Sequence, residues 1–339
     1  MKKAYAWAII AALSITVAWS VRAGAQAPGA AKPSRDRVRI LFNVPLDPTF
    51  VPDLMAFKRL KDHYGIETDV QVIAGADVSI RGLIAGQAEF ALATLGAGIL
   101  AVGQQQRIKA AIPAASAPYF TLVVTTDIRD WRALAGRSIG YTAISDSSYW
   151  TTLLQLKKRG IDPSTVNWVV VRGAAARVQA MLAGKLDGGQ VTVLGALELL
   201  KDAKFKRLGE VGKDYPNLLF SAYWVTDRFA REHPDVVQAF AEALMQEHRN
   251  AQRKSLYMAA ARPLFMGTID EATLSQSYDI LKEMNFWDPN ESRWNKNAGE
   301  FTARILAENG AVEKYVSFDE WATAQFVDAA RRKLGRTEP

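Results

Sequence analysis

The sequence predicts an α/β protein built as two doubly wound lobes, and three observations carry this. Apolar strand-like runs alternate with helix-like runs from residue 38 to about 226, the mark of βαβ units around mostly parallel sheets. The first 25 of the 339 residues read as an export signal, and the 314 that remain exceed one ordinary core and suit two lobes of roughly 100–200 residues each. A short pattern also recurs 98 residues apart. "IRGLIAGQAEFAL" from Ile80 and "VQAMLAGKLDGGQV" from Val178 share the order apolar-x-x-apolar-apolar-Ala-Gly-x-x-acid, with Ala85-Gly86 matching Ala183-Gly184 and Glu89 matching Asp187.

Residues 1–25 form the signal peptide: Lys2 and Lys3, an apolar run from Ala4 to Val21, then Ala23-Gly24-Ala25 as the cleavage site. No later stretch approaches the roughly 18 apolar residues of a membrane span. The chain has no Cys, so no lipid-anchoring thiol and no disulfide. These features place the mature protein in the periplasm, and its stability in large cores rather than cross-links. Cleavage removes Lys2, Lys3 and Arg22, which lowers the net charge from +7 to +4. The basic residues are scattered among 35 acids, which excludes a nucleic-acid surface.

Residues 26–37 are a polar Pro/Gly/Ala leader, expected to be disordered. Val38–Asn43 is then a buried strand and 43–52 a proline-rich loop. Residues 53–65 read as a helix, with Asp53 capping it, Leu54, Phe57, Leu60 and Tyr64 on one face, and Gly65 stopping it. Strands follow at 68–75, 88–96 and 108–114, with helices at 77–86 and 98–106 between them. After a strand at 119–126 the alternation restarts: strands at 138–142, 166–171 and 186–193, helices at 147–160 and 175–184, and a last strand at 218–226. From Asp227 the chain reads as helical, first over 234–248, then over 270–284, 296–309 and 318–334.

The segments "LIAGQAEFALATLGAG", "DWRALAGRSIGYTAISDSSYWTTLLQLKKRGIDPSTVNWVVV", "AARVQAMLAGKLDGG" and "TDRFAREHPDVVQAFAEAL" stand in this order over roughly residues 38–310. In them the chain resembles the periplasmic binding proteins of nitrate/sulfonate/taurine ABC importers, which share their fold with the pyrimidine-precursor binding proteins of thiamine metabolism. The resemblance implies a type II periplasmic binding protein: lobe 1 of residues 38–122 and 226–339, lobe 2 of 126–222, and hinge segments at 123–127 and 221–226. It also implies the function: a monomer that captures a small anionic or aromatic organic ligand between its lobes and delivers it to the permease and ATPase of an ABC importer. Two alternatives share the fold, a ligand sensor that signals to a membrane receptor and a thiamine-pyrimidine-synthesis-like enzyme. The enzymes of that kind carry a Cys-rich segment, which this chain lacks.

Ligands of open α/β sheets sit at the carboxyl ends of strands, where helix N-termini favour anions. Four such ends supply candidate contacts. The first is Asn43 and Leu46, carried over from the family's cleft-lining loop. The second is Thr94 with Gly96. The third is Ser145 and Ser147 at a helix start, where the competing role is plain N-capping, followed by Tyr149. The fourth is Gly173, which permits close backbone approach. Gln190 at a strand end completes the polar set. Tyr119 and Trp224 fall near the expected hinge and offer aromatic walls. No dedicated charged anchor stands out: Arg81 and Arg177 follow helix starts and are candidates to meet a carboxylate or sulfonate, with a solvated helix face the favoured reading of each, and Arg172 is a further candidate at a strand end.

No P-loop, nucleophile elbow or dinucleotide fingerprint is present. His63, His233 and His248 are dispersed, and His248 is expected to face solvent. The expectation is therefore a binding protein with no catalytic residues, no metal and no cofactor. The Trp- and Asn-rich stretch 286–297 reads as either a ligand-side loop or a surface insertion.

Overall fold

The computed structural model describes residues 33–337 apart from Pro45 and Ala74. The expected export signal lies outside the described residues. Among these residues ten strands occur: β1 (Arg37–Phe42), β2 (Glu67–Val72), β3 (Phe90–Thr94), β4 (Ile108–Ala115), β5 (Thr121–Thr125), β6 (Ser138–Tyr141), β7 (Asn167–Val170), β8 (Gly188–Val191), β9 (Phe205–Glu210) and β10 (Ser221–Thr226). The helices of the two alternating stretches are α1 (Val51–Tyr64), α2 (Ala76–Ile84), α3 (Leu95–Gly103), α4 (Ser147–Lys158), α5 (Ala174–Leu182), α6 (Val193–Leu199) and α7 (Val211–Asp214). The helical remainder is α8 (Asp227–Glu232), α9 (Pro234–Ala251), α10 (Lys254–Phe265), α11 (Glu271–Glu283), α12 (Lys296–Glu308), α13 (Phe318–Trp321) and α14 (Gln325–Leu334). No described helix is long and apolar enough to cross a membrane.

The strands form two five-stranded sheets, ordered β2-β1-β3-β10-β4 and β7-β6-β8-β5-β9. Each is parallel except for one strand that crosses from the other half of the chain: β10 runs antiparallel between β3 and β4, and β5 antiparallel between β8 and β9. The segments expected as hinges, 123–127 and 221–226, are thus largely these two strands, hydrogen-bonded on both sides. The passages between sheets lie earlier in the chain, at 116–120 after β4 and at 211–220 after β9. Residues 121–125 therefore belong with the second sheet and 221–226 with the first.

The sequence repeat has a structural cause. α2 and α5 each start after a glycine in the left-handed region, Gly75 at φ 105° and Gly173 at φ 89°, and each ends before Gly86 or Gly184. The acid that follows ties the turn to the neighbouring strand: Glu89 accepts the Arg39 N–H at 2.7 Å, and Asp187 accepts the Ser138 N–H at 2.8 Å.

One apolar core covers the first sheet and reaches Trp150, Leu154, Val193 and Leu197 of the second half. Smaller cores cover the two faces of the second sheet, with Val123 of β5 in one and Leu122 and Val124 in the other, as a period of two requires. Trp224 is fully buried in the first core, where the bare Gly98 of α3 accommodates it. A Cβ at Gly98 would stand 2.0 Å from the indole. Gly98→Ala is expected to destabilise the fold by about 1–3 kcal/mol through overpacking. A lowered urea midpoint at unchanged slope would read this, and an unchanged midpoint would contradict it.

Several expectations change. Asp53 does not cap α1, whose N-cap is Phe50; it lies buried in the first turn and accepts the Tyr223 hydroxyl at 2.5 Å. His248 is buried, because α9 is packed by α1 and α14 and Glu291 closes over the ring. The stretch 286–297 is no surface insertion: Phe286, Trp287 and Trp294 are core residues, and the Trp287 indole donates to the Thr49 carbonyl at 3.0 Å. The helix expected at 318–334 breaks at Ala322, whose extended backbone bridges Ala110 of β4. Part of the leader is held: the Ser34 N–H donates to Asp235 at 2.6 Å.

Candidate functional site

The helices that follow β3 and β6, α3 and α4, meet where Trp150 lies against Gly96. Thr94 ends β3 and is the N-cap residue of α3, yet its hydroxyl caps nothing. Thr192, 98 residues on, holds the same place before α6 and does cap, accepting the Gly195 N–H at 3.3 Å. The Thr94 Oγ1 is instead buried with no partner among the described residues. The Leu95 N–H is taken by the Phe220 carbonyl at 2.9 Å, but the first turn of a helix presents further N–H groups that no helix carbonyl receives.

From the other half, α4 directs Trp150 at the same point. Asp146 caps α4, accepting the Ser148 N–H at 2.9 Å and the Ser148 hydroxyl at 2.6 Å. Trp150 lies one turn on and is fully buried, and its Nε1–H has no partner either. A Cβ on Gly96 would stand 2.9 Å from that nitrogen, so only glycine lets the indole edge lie against the first turn of α3. A buried donor without an acceptor costs about 1–3 kcal/mol, and here two polar groups from opposite halves are left open beside one helix N-terminus.

Both passages between the sheets contribute an aromatic wall. Tyr119 packs edge-on against Phe220 at 5.5 Å and Phe286 at 5.0 Å, while Phe220 lies 6.0 Å from Trp150. Burial, with the charges of Asp47, Asp146 and Asp53, raises the Tyr119 pKa well above that of a free tyrosine, so the phenol stays neutral. Asp47, half-buried on the loop after β1, is pushed up to about 6 by desolvation against the hydrogen bonds from Thr49.

The residue whose favoured sequence reading the structure overturns is Arg177. It is 1 % exposed rather than on a solvated face. It donates from Nε to the Gln190 carbonyl at 3.0 Å, and from Nη1 to the Thr142 hydroxyl at 2.7 Å and the Val171 carbonyl at 3.4 Å. Those acceptors stand at the carboxyl ends of β6, β7 and β8. Among the described residues no carboxylate lies within ion-pair distance, and burial lowers its pKa to about 10. Arg81, by contrast, is exposed and pairs with Asp77.

The structure therefore brings Thr94, Gly96 and Tyr119 together with Trp150. Asn43 is buried beside them on the β1 loop, its carbonyl accepting the Gly75 N–H at 3.2 Å, and Leu46 is 37 % exposed at the rim. Ser147 is buried and Ser145 half-buried at the start of α4, and Gly173 faces open space at the start of α5. Tyr149 stacks with Tyr141 and Trp168, away from Trp150. Gln190 turns to Gln155, donating at 2.7 Å. Trp224 sits in the core against Trp321. A separate open cavity of about 700 Å³, lined by Lys109, Asp227, Arg231, Trp294 and Lys296 among others, lies at the far end of the first sheet, since Lys109 pairs with Val225 while Thr94 and Ala115 pair with Ser221. Among the described residues no cluster of His, Asp and Glu is placed to hold a metal.

Comparison with known proteins fits this geometry. Residues 63–251 match the family described as NMT1/THI5 like. A taurine-binding periplasmic protein of Escherichia coli K12 is 29 % identical over 173 residues, 50 % of this chain and 52 % of that protein. The chain thus spans about half the length of the curated relative it matches. The periplasmic nitrate-binding protein NrtA of Synechocystis PCC 6803 superposes with TM-score 0.73 at 11 % identity, covering 90 % of both chains. The alkanesulfonate-binding protein SsuA of Xanthomonas axonopodis pv. citri, bound to MOPS, superposes with TM-score 0.66 at 15 % identity, covering 87 % of this chain and all of that one. At such identities the structures share the fold.

Proposed function

Because this chain belongs to the NMT1/THI5-like family, we propose that it is a periplasmic solute-binding protein that closes its two halves on a small ligand and passes it to the permease and ATPase of an ABC importer. It acts as a monomer and catalyses no reaction. The observation that carries this reading is the pair of buried, unpartnered groups from opposite halves of the chain, Trp150 Nε1 against Gly96 and Thr94 Oγ1 two residues before that glycine. A protein folding for stability alone satisfies such groups. Here a ligand bearing acceptor atoms supplies the missing partners, and the aromatic wall of Tyr119, Phe220 and Phe286 takes its apolar part. The passages 116–120 and 211–220 are the two segments of the hinge, and both lend side chains to the wall, so wall and closure move together.

The test is native mass spectrometry of protein taken from periplasm without refolding, followed by thermal shift with taurine, alkanesulfonates, nitrate and aromatic carboxylates. A discrete small adduct, or a Tm that rises with ligand concentration as RT ln(1 + [L]/Kd) requires, is the expected result. An adduct-free mass together with no shift from any compound would overturn the reading.

A further inference from the structure

Arg177 carries more than the reading above uses. A strut that ties strand ends needs only its bonds to the Gln190 and Val171 carbonyls. The equivalent residue in the first half, 98 positions earlier, is Ser79, which is buried and donates to the Leu41 carbonyl at 3.4 Å. The fold therefore does not demand a charge at this position. The second sheet makes room for one at Gly140, where a Cβ would stand 3.2 Å from the Arg177 Cδ, while Gly189 lies alongside the same stem.

The Thr142 hydroxyl completes the argument. Its oxygen accepts from Arg177 Nη1 at 2.7 Å and from the Gly173 N–H at 3.4 Å. Both lone pairs are engaged, so the hydroxyl proton must point at an acceptor, and no described residue provides one. The Arg177 Nη2 donors likewise reach no described acceptor. The one acid near this group, Asp146, is felt at the guanidinium as a charge but makes no ion pair with it, and it is hydrogen-bonded to Ser148, whose hydroxyl accepts the Thr142 N–H at 2.9 Å. The charge of Arg177 is felt at Tyr119, on the aromatic wall of the site.

We propose that Arg177 and Thr142 are ligand-binding residues, a buried donor pair at the carboxyl ends of β6 and β7 that makes the site require an acceptor bearing negative charge. The inference rests on the two-sheet trap described above. The Asp146 charge offsets only part of the burial, since the Arg177 pKa is still lowered; a buried charge without a counter-ion in contact is costly, and an anionic group entering beside Tyr119 supplies that contact. A neutral ligand of the same shape leaves the guanidinium without that contact and is rejected.

Calorimetric titration of the mature protein with ethanesulfonate, taurine and benzoate, and with the neutral ethanesulfonamide and benzamide, tests this. At least one anion is expected to bind, its neutral counterpart binding about a hundredfold or more weakly. Arg177→Gln is expected to weaken the anion by about thirtyfold and the neutral compound hardly at all, which abolishes the discrimination. Thr142→Val is expected to cost about tenfold and Thr142→Ser to restore it, a comparison that stands if R177Q fails to fold. Equal affinity of anion and neutral compound for the wild type, or equal weakening of both by R177Q, would reduce the pair to a strut. Binding of no anion overturns the pair as a recognition element, while an adduct of other chemistry in native mass spectrometry leaves the trap itself standing.

Discussion

Trp150→Phe is expected to weaken ligand binding by about 10- to 100-fold while changing the stability of the empty protein by no more than about 2 kcal/mol. Phe keeps a six-membered aromatic ring but loses the pyrrole part of the indole with its N–H, so a small cavity offsets the relief of removing an unpaired donor. A hydrogen bond to a charged acceptor is worth about 1.5–3 kcal/mol, and a buried donor with no partner costs about 1–3 kcal/mol. The same indole nitrogen is thus a liability in the empty protein, where it faces Gly96 unpaired, and an asset in the loaded one. Thr94→Val removes the facing hydroxyl at nearly constant volume and is expected to act in the same sense. Because both groups address one ligand, the double variant should lose less than the two single losses combined. Titration gives the affinities and urea melts give the stabilities. A W150F protein that binds normally, or one that loses binding only because it is destabilised, would remove Trp150 from the site.

The second large effect lies beneath the β1 loop. His248 Nδ1 is hydrogen-bonded to Glu291, which also accepts the Ser116 hydroxyl at 3.1 Å, and Asp53 is held by Tyr223. Burial alone would lower the His248 pKa, but the Glu291 carboxylate, with Asp53 and Asp288, outweighs it and the pKa is raised. Burial pushes Asp53 up to about 6 despite His248 and Tyr223. Both groups bind protons more tightly in the folded state than in the unfolded one, so their stabilising contribution grows as pH falls. The part from His248 is complete below its unfolded pKa of about 6.5 and is lost as pH rises through the folded value. The part from Asp53 develops as pH falls from about 6 toward 4 and amounts to at most about 3 kcal/mol. Below that range the opposite sign takes over: Asp162 and Asp270, held down by the backbone N–H groups they cap, lose that stabilisation when protonated. The Tm is therefore expected to rise from pH 8 to a maximum near pH 5 and to fall beyond it. His248→Ala strands a buried Glu291 and is expected to cost about 3–5 kcal/mol at pH 7, with the rise toward pH 5 flattened. An H248A melting curve parallel to that of the wild type would disprove the coupling.

Much of this was legible in the chain. Alternating apolar runs located the strands, because a buried parallel strand has few ways to be polar. The repeat at Ile80 and Val178 marked two half-units, because Gly after a helix and an acid against the next strand are local demands. Thr94, Gly96 and Tyr119 stood out in the sequence because strand ends and passages between sheets are where ligands bind, and the structure places them near Trp150. Trp224 and Gln190 were drawn in by the same rule, yet they pack inward against Trp321 and Gln155. At a strand end, position alone does not say which face a side chain takes.

What no local pattern carries is pairing across distance. Trp150 reads as one more apolar helix position until Gly96, 54 residues earlier, is seen to leave its N–H open. Arg177 reads as a solvated helix residue until Gly140 is seen to admit its stem. His248 reads as exposed until Glu291, 43 residues on, is seen to cover it. Composition, periodicity and turn chemistry are properties of neighbours in the chain, and they determine the elements and the fold class. Whether a buried polar group is satisfied depends on partners brought together only by folding, so the passages between the sheets and the unpartnered buried groups became visible only in three dimensions.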